Sequence, residues 1–197
     1  MANEYADLSV LKTSLGLEDD DDSRDVLLTA ALASASRSID TATGRRFWLD
    51  AVASARTYNP GGRTVCGEDG ERLLIDDVGV APTLVETGAA GSWTAVSGYE
   101  TGPENAVARG RPIVSLLHST ASWGRGPTRV RVTAQWGWPA VPDEIVQATV
   151  IQASRLFKRK DSPEGVTGSA EWGVVRLSRR DPDVWALIEH YVMPGFG

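Results

Sequence analysis

The spacing of apolar residues changes twice along this chain, and each change restricts which elements can form. Leu8, Leu11 and Leu15, then Leu28, Leu32, Ala35 and Ile39, recur at intervals of three and four. At 3.6 residues per turn that spacing puts them on one helical face. From Phe47 to Trp138 glycines and prolines recur every few residues, with β-branched runs between them. The clearest run alternates Val130, Val132, Ala134 and Trp136 with Arg129, Arg131, Thr133 and Gln135, the period of a half-buried strand. Helical spacing returns with Val146, Val150, Ala153 and Phe157. The pattern predicts an α+β chain: a helical bundle of two N-terminal helices, one long central helix and one C-terminal helix, carrying a large antiparallel β insertion. The helical domain is expected over residues 1–47 and 128–197, the insertion over 48–127, and an extended tail over 193–197.

Local signals set the boundaries. The first helix is expected over 7–15, capped by Asp7 or Ser9 and stopped by Gly16. Asp19, Asp20, Asp21, Asp22 and Asp25 lead into a second helix over 23–43, where carboxylates suit the positive end of the helix dipole. Gly44 fits a left-handed cap, and Arg45 and Arg46 suit the negative end. Strands are expected at 52–58, 72–76, 82–87, 93–97, 113–118 and 128–136. Asn59-Pro60-Gly61-Gly62 and Glu68-Asp69-Gly70 read as turns between them. Pro142-Asp143-Glu144 opens a third helix running to about Lys160, followed by a loop over 161–173 and a short strand at 174–177. Asp181 caps the last helix, with Pro182 in its first turn and Val184, Leu187, Ile188 and Tyr191 inward.

Composition narrows the function classes. Apolar residues are 42% and charged residues 23% of the 197, enough to build a core. A net charge of −6 argues against a nucleic-acid coat, which needs a cationic surplus. The single cysteine, Cys66, excludes an internal disulfide. No signal-peptide pattern and no run of roughly 18 apolar residues occurs, so a chain made in a reducing cytoplasm, without a membrane partner, is expected. No catalytic constellation is found, no cofactor is implied, and His118, His190 and Cys66 lack the short spacings of a zinc site. The aspartate run lacks the alternation, glycine and closing glutamate of a calcium loop. Gly61-Gly62-Arg63-Thr64 lacks the Lys-Ser/Thr ending of a phosphate loop.

Two features suggest contacts with other chains. The first 25 residues hold eight acidic and two basic side chains, whereas residues 155–180 hold seven basic and three acidic ones. Such opposition suits a head-to-tail contact between identical subunits, with Asp20, Asp21 and Asp22 on one side and Lys158, Arg159 and Lys160 on the other. Seven tryptophans are many for this length; Trp123 and Trp172, in poorly patterned stretches, are read as interface anchors.

The segment Ile39-Asp40-Thr41-Ala42-Thr43-Gly44-Arg45-Arg46-Phe47 resembles the end of the helical opening of the tailed-bacteriophage head–tail connector (adaptor) family. Trp136-Gly137-Trp138-Pro139-Ala140-Val141-Pro142-Asp143-Glu144-Ile145 resembles that family's strand, Val-Pro turn and long helix. Ser162-Pro163-Glu164-Gly165-Val166 and the stretch from Trp172 to Tyr191 resemble connectors of actinobacteriophages. The resemblance covers about residues 5–48 and 128–192. It implies a structural virion protein, not an enzyme, at the virion neck. It further implies a homo-oligomeric ring, commonly of about twelve subunits, that joins the portal protein to a stopper or tail-completion protein. DNA would pass through as cargo. The portal contact falls on the C-terminal segment, through Asp181, Trp185, Tyr191, Met193 and Phe196; the subunit contact would add Trp172 to the charged residues above. The alternatives are another neck protein, a stopper or tail terminator, and a carbohydrate- or host-surface-binding β module.

Overall fold

The computed structural model describes residues 3–159, 166–167, 175–176 and 181–193. The chain is mixed α+β and divides into two compact units: residues Met1–Arg45 with Val141–Gly197, and residues Arg46–Ala140.

The first unit holds helices α1 (Leu8–Leu15), α2 (Asp25–Thr43), α3 (Asp143–Arg159) and α4 (Pro182–Ile188), with a two-stranded ribbon of β9 (Val166–Thr167) and β10 (Val175–Arg176). The expected stripe is its core. Leu11, Leu28, Ala31, Leu32 and Ala35 pack with Val150, Ala153 and Phe157. Alanines at 31, 35 and 153 let the helix backbones approach closely. Gly16 and Gly44 end α1 and α2 in the left-handed region, both at φ 68°, where a residue with a Cβ is disfavoured. Helix α3 begins at Asp143, and Pro142 instead supplies the carbonyl that accepts from Ile145 and Val146.

The second unit is two four-stranded antiparallel sheets built from β1 (Ser54–Tyr58), β2 (Thr64–Gly67), β3 (Gly70–Val78), β4 (Leu84–Ala89), β5 (Ser92–Ala95), β6 (Tyr99–Gly102), β7 (Ile113–His118) and β8 (Arg129–Ala134). Their orders are β1-β8-β4-β5 and β2-β3-β7-β6. The alternation read in the sequence is the burial pattern of β8: Val130, Val132 and Ala134 are fully buried, with the intervening residues partly exposed. Both sheets feed one core, including Leu73, Ile75 and Leu116 from the second and Val85, Val130 and Val132 from the first.

Two sequence boundaries move. Strand β8 belongs with the β unit, which runs to Ala140 rather than ending at 127, because β8 pairs with both β1 and β4. Arg46 does not serve the α2 terminus; it lies in the β unit and pairs with Asp50 at 2.8 Å.

The sheets are joined through β3. Its pairing with β7 shifts register between Leu74 and Val78. Beyond the slip Val78 bridges Trp136, and the Asp77 carboxylate accepts from Trp138 Nε1 at 2.9 Å. Between the two tryptophans sits Gly137, at φ 111°, where an added Cβ would lie 1.8 Å from the Trp48 carbonyl oxygen. Gly91, at φ 87°, has open space around the same position. Gly91→Ala is therefore expected to cost only backbone strain, about 1 kcal/mol. Gly137→Ala adds a backbone collision and should cost about 3 kcal/mol or more. Urea denaturation of both variants measures the difference.

Candidate interaction surfaces

Among the described residues, no group of three His, Cys, Asp or Glu side chains could hold a metal, and no helix is long and apolar enough to cross a membrane. The features with functional content are surfaces.

The acidic stretch before α2 is exposed at Asp19, Asp20, Asp21 and Asp22. Asp21 accepts from the Ser23 hydroxyl and from its backbone N–H at 3.1 Å, which holds the carboxyl below its ordinary pKa. One cation is committed here. Lys12 of α1 is 4% exposed, and its ammonium meets Asp25 at 2.7 Å and donates to the Asp19 carbonyl at 3.0 Å. That hydrogen bond to Asp25 is the main reason its pKa is raised.

Lys158 and Arg159 are exposed at the last turn of α3. The fold brings them to the same end of the helical unit as the aspartates. Helix α1 reaches the start of α2 through Lys12–Asp25 and the last turns of α3 through Ser14–Ser154 at 3.2 Å. At the other end, Tyr191 links to Glu144 of α3 at 3.1 Å, and the Met193 N–H donates to Thr43 O of α2 at 2.8 Å. The two charged sets thus share one end of an antiparallel α2–α3 pair. Lys160 and Trp172 lie outside the described residues.

The C-terminal residues singled out in the sequence are held by the helical unit. Asp181 caps α4, accepting from Asp183 and Val184 N–H at 2.9 and 3.2 Å, and pairs with Arg155 at 2.7 Å. The Tyr191 carbonyl accepts from Arg45 Nε at 2.7 Å. Trp185 is half-buried, and Met193 is anchored by its backbone as above. Phe196 lies outside the described residues. Asp181, Tyr191 and Met193 therefore fix where the C-terminal segment runs. Asp181→Ala should lower stability by about 1 kcal/mol through loss of the cap, readable as a drop in Tm.

Trp123 is not the surface anchor expected. It is fully buried, donating from Nε1 to the Glu71 carbonyl and from its backbone N–H to the Glu71 carboxylate, both at 2.9 Å. His118 meets its ring edge-on at 5.5 Å and Tyr99 at 6.4 Å. A loop without periodicity is pinned to β3 by one indole. The Ser122 hydroxyl, the Trp123 amide and Arg125 together hold the Glu71 carboxyl below its ordinary value of 4.5. Because the native pKa is the lower one, the stability this gives is present above that ordinary value and is lost as pH falls through the native one. Glu71→Gln should accordingly show a shallower loss of stability between pH 5 and 3, on the order of these carboxylate values, in denaturant titrations at stepped pH.

On the open face of the first sheet, Arg131 forks onto Glu86 at 2.7 and 2.9 Å and stacks on Trp93 at 4.3 Å.

No family model matches the chain, and no curated protein matches it. Solved structures do. The chain is similar to one in the neck of an empty gene transfer agent particle computed with C6 symmetry, at 20% identity and a TM-score of 0.54, covering 100% of this chain and 98% of that chain. It is similar to a second in the virion of a native gene transfer agent particle, again at 20% identity and a TM-score of 0.54, covering 98% and 92%. At this identity the likeness is one of fold. It covers residues of both the helical and the β unit.

Proposed function

We propose that this chain is a structural neck protein of a tailed-phage-like particle, a head–tail adaptor whose copies form a ring below the portal. The ring would link the portal to the stopper or tail-completion protein and let DNA pass. The observation that carries this reading is the full-length likeness in fold to a chain whose structure is a particle neck. The connector-like segments around residues 39–47 and 136–145 support it, and the resemblance of residues 162–166 and 172–191 to connectors of actinobacteriophages points to that branch of the adaptor family. The net charge of −6 suits a passage along which DNA slides without sticking, since like charge disfavours phosphate contacts. The role is architectural, not catalytic. The chain would act in the virion neck after synthesis in the host cytoplasm.

In this reading the C-terminal segment holds the portal through Trp185, Met193 and Phe196, while Asp181 and Tyr191 set its course. Neighbouring copies meet through Asp20, Asp21 and Asp22 on one side and Lys158, Arg159, Lys160 and Trp172 on the other.

Sedimentation velocity of the purified chain with the portal ring of the same particle tests the role. A stoichiometric shift of the portal boundary is expected, and removal of residues 193–197 should weaken it by about tenfold or more, a loss of roughly 1.4 kcal/mol. No shift with both proteins folded would overturn the adaptor assignment.

A further inference from the structure

The start of α2 carries a surface that the helical core does not use. Val26 is 83% exposed and Leu27 52% exposed, and Ala30 and Ser34 continue the outer face. Ala30 is a surface neighbour of both Val26, four residues back, and Leu27, three residues back. The exposed aspartates at 19–22 precede them, separated by Ser23, the exposed Arg24 and Asp25. Isolated exposed apolar side chains are ordinary; an apolar pair bordered by exposed carboxylates is the pattern a long cationic side chain fits. Lysine and arginine can lay their methylene stems on apolar surface while the charged head reaches a carboxylate.

We propose that the first turns of α2, with Val26, Leu27 and the aspartates before them, seat the end of α3 of a second copy, whose Lys158 and Arg159 lie over the apolar pair with their heads on Asp20 and Asp22. This rests on the ring reading above and gives its subunit contact an apolar centre. The geometry within one subunit favours it. Rotation about a ring axis leaves height along that axis unchanged, so complementary patches on adjacent copies must lie at one height. With the axis along the helices, the shared end of α2 and α3 meets that condition. The contact is heterologous, so it does not stop at a dimer, and it closes into a ring when the rotation per subunit divides the full turn.

The test uses two full-length variants. One carries Asp20→Lys and Asp22→Lys, the other Lys158→Glu and Arg159→Glu; all four positions are exposed, and circular dichroism confirms folding. Ring formation is followed by sedimentation velocity and native mass spectrometry, alone and on the portal ring. Each variant by itself should assemble about tenfold more weakly than the natural chain, because every contact opposes like charges. An equimolar mixture should assemble normally with the variants alternating. Val26→Asp with Leu27→Asp should fail in every mixture. If the natural chain assembles and the variants alone match it, or the mixture is no better than its components, the proposed contact is overturned and the ring reading stands. If the natural chain forms no ring alone or on the portal, both fall.

Discussion

The β unit depends on the burial of Trp136. Its ring is fully buried, its Nε1 donates to the Ser54 carbonyl at 2.8 Å, and Arg56 stacks on it at 4.3 Å. It lies at the end of β8, the strand that pairs with both β1 and β4, and it is bridged to Val78 of the other sheet. One indole therefore satisfies a β1 carbonyl, fills the shared core and marks where β3 crosses between sheets. Tyr58 packs 6.2 Å away, with its phenol pushed well above its ordinary pKa by burial. Gly137 and Trp138 follow because the chain must then turn tightly against Trp48.

Much of this was legible in the residues. Period-2 alternation exposed β8, and helical spacing exposed the cores of α2 and α3, because one face of each is buried and the other is wet. Gly16 and Gly44 marked helix ends, since their positions need a positive φ. Asp181 and Pro182 marked a helix start. Strands β2 and β6 were not legible. Each has four residues, and β2 is mostly exposed at an edge, so neither carries a burial pattern to read. Their pairing is set by β3 and β7, across a sequence distance that local signals do not span.

The surface residues divide differently. The opposed charge of residues 19–22 and 158–159 could be read from sequence, but not their shared end, which follows from the antiparallel packing of α2 on α3. Trp123 misled for a related reason. Absence of periodicity marks irregular backbone, yet irregular backbone can still be buried when side chains such as Glu71 satisfy its polar groups. Nor could spacing reveal that Asp181, Tyr191 and Met193 bind the helical unit, since those contacts join residues far apart in the chain.

The hydrogen bond from Met193 to Thr43 puts the exit of the C-terminal segment at one end of α2, while the charged residues gather at the other. A helix of 19 residues separates those ends by about 28 Å. Sites so far apart, with no shared partners, contribute additively to free energy. On the ring reading proposed above, lateral cohesion and axial docking would then be tuned separately: a lineage would change its portal by altering a few terminal residues and keep its ring, or alter its ring and keep its portal.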